Sequence, residues 1–344
     1  MCRCTNSGIT MKNIYRLCVL SAAGLLFTSP SDLLGQLVLE PATAKKEDAK
    51  KAKTNTFIRM ERDAAGEPKS LQTAVATYKP RTEFSSLRVD LIGAVHVGDK
   101  EYYEQLNKLF ESYDVVLYEL VAPKGTVIPK GGRKGSGGNP ISMLQGMTKS
   151  MLNLSSQMEL IDYTKKNFVH ADMSPAEMQD SMAKRGETPM TVALDALSEM
   201  MKTANLKQQK AIENNEPIQQ LAADPFALLF DSQRDVKLKN MMAEQFSEMG
   251  TDVMGNTINR VLVEDRNKAA MRVFSKELAK GHKKIAIFYG AAHLPDFEDR
   301  LAKDFDLKRS ETKWLTAWDL TKPSKNKADD PVDSLFRNLL QPAQ

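Results

Sequence analysis

The stretch Lys283–Pro295, reading KKIAIFYGAAHLP, constrains the fold of this chain more than any other. Its apolar run Ile285–Tyr289 predicts a buried strand. Gly290 ends that run, and a sharp backbone turn there would present His293 just beyond the strand tip. Nearly two hundred residues earlier the pattern repeats, with Leu87–Ile92 as the strand and Gly93-Ala94-Val95-His96 as its end. The chain holds only four histidines. Two of them in one local setting point to one site fed by two strand ends. His170 and His282 lack such a motif, and His282 follows Gly281 among lysines, where exposure is the ordinary outcome.

The segment after His96 supplies the next part. Asp99 is placed to cap a helix whose apolar face carries Tyr103, Leu106, Phe110 and Tyr113. Val115–Leu120 then reads as a second buried strand, so strand, helix and strand predict a parallel pair. Glu119 falls at the carboxyl end of that strand, expected beside the strand that delivers His96, where open α/β sheets place their ligands. Upstream, Thr56–Arg62 and Leu71–Tyr78 are strand-like and separated by turn residues, predicting an antiparallel meander. Downstream, Val263–Lys280 is an amphipathic helix ended by Gly281, with Glu264, Asp265, Arg266 and Asn267 on its first turn. Asp296–Phe305 reads as a short helix and Lys313–Leu320 as a last strand.

Between these parts lie two departures. Residues 123–140 form a loop rich in Gly and Lys whose spacing fits no phosphate-binding signature, so a solvated insertion over the site is expected. Residues 141–260 read as a largely helical subregion holding fourteen of the eighteen methionines. Ser174-Pro175 with Glu177, Thr188-Pro189 and Asp224-Pro225 mark helix starts there. Methionine suits adaptable core packing, or a plastic groove for an apolar ligand.

The ends bound the setting. Lys12 and Arg16 precede an apolar stretch over Leu17–Phe27, the order of a secretory signal, so residues 1–44 are expected to be a signal peptide and the start of a tether. The lysine-rich linker 45–54 follows, then a folded domain over 55–320 and a polar tail over 321–344. All three cysteines lie at or before Cys18, so no thiolate ligand is expected in an exported chain. A net charge of +4 and the lack of any nucleic-acid motif argue against a nucleic-acid partner. An uncleaved signal segment would keep the protein near a membrane.

The paired Gly-Ala-Val-His and Gly-Ala-Ala-His motifs, Tyr118-Glu119-Leu120 and Glu264-Asp265-Arg266-Asn267 resemble the TraB/Tiki superfamily, which includes the GumN-like proteins. The resemblance covers Thr56–Leu320. It implies an α/β fold with a mixed central sheet and flanking helices, with the two histidines of the strand-end Gly-x-x-His motifs and the glutamate gathered at one edge; the Gly/Lys loop and the largely helical Met-rich insertion are where this chain departs from the family. Some members are proteases dependent on manganese or cobalt; others act in pheromone control, as esterases or in haem binding. Two imidazoles and a carboxylate can hold a divalent metal with an open position. His96, His293 and Glu119 are therefore the expected metal ligands, with manganese or cobalt implied by the resemblance and zinc also compatible. Glu264 is expected as a proton carrier or further ligand, Arg266 as the group that stabilises the oxyanion or anchors a substrate carboxylate, and Asn267 as a substrate contact. The expected activity is hydrolysis of a peptide or protein substrate outside the cytoplasm. A peptide- or haem-binding protein without turnover and a metal-free esterase are the alternatives. Neither a G-x-S-x-G elbow nor an H-E-x-x-H helix is present to suggest other hydrolases.

Overall fold

The computed structural model describes residues 57–82, 86–132, 154–213, 234–248 and 259–321. The signal segment, the lysine-rich linker, residues 133–140 of the Gly/Lys loop, the Asp224-Pro225 helix start and nearly all of the tail lie outside them. In chain order the elements are β1 (Ile58–Arg62), β2 (Pro68–Pro80), β3 (Arg88–Ala94), β4 (Val97–Gly98), α1 (Lys100–Phe110) and β5 (Val115–Tyr118). Then come β6 (Ser155–Ser156), β7 (Phe168–His170), α2 (Pro175–Ala183), α3 (Pro189–Glu213), α4 (Arg234–Glu248), α5 (Asp265–Ala279), β8 (Lys284–Gly290), α6 (Leu294–Phe305) and β9 (Leu307–Asp319).

The fold is α/β, with a mixed central sheet of seven strands flanked by helices. The long strand β2 is the antiparallel half. Strand β9 lines one edge of it over Ser70–Pro80, while β1 and β3 share the other. Strands β3, β8, β5 and β7 then run parallel. These central strands read as unbroken apolar runs because both faces are covered. Val89, Leu91, Val115, Leu117, Ile285 and Ile287 pack against Phe274 of α5 and Phe297 of α6. Ile92, Val116, Ala286 and Phe288 face the other way, toward Tyr103 and Phe110 of α1.

Two expectations about topology change. Strands β3 and β5 are not neighbours: β8 lies between them, pairing Val89 with Ile285 on one side and Val115 with Ile285 on the other. A crossover of this length leaves room for an inserted strand, and β8, apolar on both faces, takes the most buried place. The stretch expected to be largely helical also contributes β7 to the sheet, before α2 and α3.

Among the described residues, the expected helix starts at Ser174 and Thr188 and the helix end at Gly281 form, and the expected cap at Asp99 does not. Ser174 forms the full capping box with Glu177 at the start of α2. Thr188 Oγ1 accepts from the Thr191 amide at the start of α3. Gly281 closes α5 with φ of +90°, a left-handed conformation that favours glycine. Asp99 precedes α1 but its carboxylate caps nothing. It instead takes Lys239 of α4 at 3.1 Å and the Asp319 amide of β9 at 2.5 Å, tying both to the sheet. The described end of the Gly/Lys loop is anchored to α2 by Lys124 and Glu177, 2.6 Å apart.

Ser174→Ala removes the acceptor of this capping box, and equilibrium urea unfolding is expected to show a loss of about 1 kcal/mol. An unchanged midpoint would mean that α2 is held by its packing alone.

Candidate active site

The parallel strands end on one side of the sheet, and four chain segments meet there. Glu119 follows β5, Asp172 follows β7, His293 follows β8, and Arg266 enters from the first turn of α5. The guanidinium of Arg266 is buried and sits at their centre. Nε and Nη2 fork onto Asp172 at 3.0 and 2.7 Å. Nη2 also donates to Glu119 Oε1 at 2.6 Å. Nη1 donates to the Leu262 carbonyl at 3.2 Å and lies 3.4 Å from His293 Nε2. An arginine has five N–H groups, and these five contacts engage all of them.

The carboxylates are equally tied. Asp172 also accepts from the amides of Leu120 and Met173, at 3.0 and 2.7 Å, so every group facing it is a donor. Glu119 Oε2 accepts from the Gly290 amide at 2.7 Å. Burial alone would push the Glu119 carboxyl up. The His293 ring, the Arg266 guanidinium and the Gly290 amide, with a smaller share from His96, outweigh it and bring it down to about 2. Burial likewise works against the charge of Arg266, and Asp172 and Glu119 more than restore it. Two carboxylates against one guanidinium leave the cluster with a formal charge of −1.

Gly290 is suited to its place for a reason other than a turn. Its φ is −49°, open to any residue. A Cβ there would meet Glu119 Oε2 at 3.3 Å, tighter than an ordinary contact. Glycine lets the carboxylate reach the backbone.

Asn267 sets the chemistry of His293. Its Nδ2 donates to the His293 carbonyl at 2.9 Å and to Asp296 Oδ2 at 2.8 Å, which fixes the amide orientation. Its Oδ1 therefore faces His293 Nδ1, 2.7 Å away, and Nδ1 must carry the proton. The lone pair is left on Nε2, 3.6 Å from Glu119 Oε1. Burial pushes the His293 pKa down from 6.5 to about 4, so the ring is neutral at pH 7.

The predicted residues thus divide. Glu119, Arg266 and His293 come together. Asn267 is fully buried and its side chain is used on His293 and Asp296, so it orients the imidazole rather than touching substrate. Glu264 is half-buried, and no hydrogen bond or ion pair among the described residues joins it to the cluster. His96 stands exposed at the rim, although its Gly-x-x-His motif matches that of His293. The two motifs leave adjacent strands differently: the register pairs Ala94 with Gly290, and the chain then continues into β4 in one case and into a helical turn over Ala291–His293 in the other. Among the described residues, no three His, Asp or Glu side chains converge closely enough to hold a metal ion. Asp172 was missed from sequence. Its only signal was a short apolar strand, Phe168–His170, followed by an acid ahead of a helix start, inside a stretch that reads as helical.

No family model matches the chain, nor does any curated protein or solved structure.

Asp172→Asn places an amide NH2 against donors whichever way it is turned, and is expected to cost about 3 kcal/mol in urea unfolding. A loss below about 1 kcal/mol would mean that Glu119 alone suffices to hold Arg266. A second expectation concerns acid. The unfolded His293 takes up its proton near pH 6.5 and the folded one only near 4, so stability present above 6.5 is lost as pH falls to 4, by about 3 kcal/mol. Unfolding of wild type and His293→Gln at pH 7 and pH 4.5, with chelator present, checks this. The variant should lose distinctly less; equal losses would show that the ring is not buried neutral.

Proposed function

We propose that this protein is an exported, metal-dependent hydrolase that cleaves a peptide or related amide bond. The observation that carries the reading is the contact of His293 Nδ1 with Asn267 Oδ1, which leaves the lone pair on Nε2. Asn267 aims it, and it lies beside Glu119 in a buried cluster of net negative charge.

The donor set fits a divalent ion in part. Two tetrahedral ligands at ordinary zinc distances lie about 3.4 Å apart, and His293 Nε2 and Glu119 Oε1 are 3.6 Å apart. The third ligand is not in place: His96 stands at the rim, and its side chain would have to swing inward to complete the set. A bound ion would supply Lewis acidity and an activated water. The residues of the chain supply the rest. Asn267 holds the His293 ring in one tautomer, and Gly290 fixes Glu119. Asp172 keeps the guanidinium in place through two parallel bonds. The contact of Arg266 Nη1 with His293 is the weakest of its five. Once Nε2 is engaged elsewhere, that N–H is released toward a developing oxyanion. The exposed apolar side chains of Val121, two positions after Glu119, and Leu262, four before Arg266, offer seats for apolar substrate side chains. The signal-like segment over Leu17–Phe27 supports export, and the absence of a nucleic-acid motif favours a peptide or protein substrate.

A second reading rests on the contact between Arg266 and both Glu119 and His293. A guanidinium already neutralises the carboxylate, and His293 Nε2 could then serve as a general base toward water without a metal, as in a metal-free esterase.

Metal content decides between them. Protein from Lys45 onward should bind one divalent ion among manganese, cobalt and zinc, and lose it in the His96→Ala, His293→Ala double variant. Chelation should abolish hydrolysis of a peptide library and the same ion should restore it. Hydrolysis that survives chelation but not His293→Ala would establish the metal-free reading instead.

A further inference from the structure

The cluster at the strand ends is closed. His293 keeps 6% of its surface exposed and Arg266 8%, so a ligand reaches them only after some part of the chain has moved. Helix α2 is placed to be that part. It begins at Pro175, three residues after Asp172. Near its other end Ser181 donates to Asp265, the residue before Arg266, at 3.0 Å. On its flank Glu177 holds Lys124, five positions after Glu119, at 2.6 Å. The helix is thus fixed at three points around the cluster.

Its packing differs in kind from that of the other helices beside the sheet. Helices α1, α5 and α6 bury Phe110, Phe274 and Phe297, whereas α2 buries no side chain at all. Ala176, Gln179, Asp180 and Ala183 form its exposed face, and Met178 and Met182 on the opposite side are only half-buried. What holds α2 in place is polar. Arg185, in the turn that follows it, donates from Nη1 to Asp265 at 2.8 Å and from Nε to Glu187 at 2.9 Å. Glu187 also takes Arg260, the first residue of the helical turn Arg260–Glu264. The Leu262 carbonyl of that turn shares Arg266 Nη1 with His293 Nε2. This run of ion pairs therefore ends one guanidinium nitrogen away from His293. Between Arg185 and Glu187 stands Gly186, with φ of +70° and nothing packed where a side chain would be, so the backbone there is free to pivot. A segment with few buried apolar contacts opens at small cost, and the lids of binding sites are drawn from such segments.

We propose that α2 and the turn after it form a lid over the strand-end cluster. Lys124 and Glu177 latch it on one flank, and Arg185, Glu187, Asp265 and Arg260 on the other. These contacts part before a ligand reaches His293. The inference concerns access to the cluster and holds for a hydrolase and for a binding protein alike.

The test reads access without turnover. Diethyl pyrocarbonate modifies an unprotonated imidazole nitrogen, and the His293 ring is neutral at pH 7. Its modification is followed by peptide mass spectrometry on protein from Lys45 onward, with chelator present and His282 as the internal reference. In the Lys124→Ala, Arg185→Ala double variant the His293 rate is expected to rise about 5- to 10-fold, the combined effect of several weak ion pairs. The wild-type rate should also rise with added salt, and that of the variant should not. Amide exchange across β8 should stay unchanged in both. A second arm closes the lid. All three native cysteines precede Lys45, so Lys124→Cys, Glu177→Cys introduces the only thiols. Joining them with a short bis-maleimide should slow His293 below its wild-type rate, while the same protein left unjoined should react faster than wild type.

A His293 rate that neither rises when the latch is removed nor falls when the lid is joined would overturn the proposal. So would a rise matched by faster exchange across β8, because the whole domain would then be opening rather than the lid.

Discussion

The arrangement at the strand ends depends on one buried cation. Arg266 has five N–H groups, and they meet acceptors from four parts of the fold: Asp172 after β7, which takes two, Glu119 after β5, His293 after β8, and the Leu262 carbonyl ahead of α5. A guanidinium is suited to this because its fork is planar and its charge is not lost on burial. Buried ion pairs are costly to form and costlier to break, since removing one partner leaves the other charge stranded. Arg266 therefore acts as a geometric standard. Segments distant in sequence must arrive at the same place to satisfy it.

The surplus negative charge and the imidazole give that cluster a chemical direction. A neutral ring with its lone pair beside a carboxylate attracts either a cation or a proton from water. Asn267 decides which nitrogen is offered. It can do so because its NH2 faces two acceptors and cannot turn over without losing both. Every group that orients the centre is itself held by at least one further bond. The weakest contact, between Arg266 Nη1 and His293, is the one a ligand would displace.

Much of the frame was legible in the residues. Apolar runs marked the central strands, the α1 and α5 faces showed helical spacing, and Gly281 marked a helix end. The strand-end placement of Glu119 and His293 followed from the same pattern. The order of the strands did not, because β8 joins the sheet from far along the chain, and periodicity says nothing about which long-range neighbour a strand takes. Strand β7 was hidden because three residues carry no periodic signal, and Asp172 was hidden with it. The capping role of Asp99 was also displaced, as Lys239 and the Asp319 amide compete for its carboxylate.

The two Gly-x-x-His motifs separate what each level decides. Sequence by itself determined that both histidines follow central strands, since glycine and apolar patterning are local properties of the backbone. Only the tertiary structure decided that they differ. His293 enters a helical turn beneath Asn267 and is buried neutral, whereas His96 leads into β4 and stays at the rim. Identical local patterns accept several backbone paths. Which path each takes depends on what packs against it: Asn267 of the preceding helix over His293, and Ser155–Ser156 beside the β4 that follows His96.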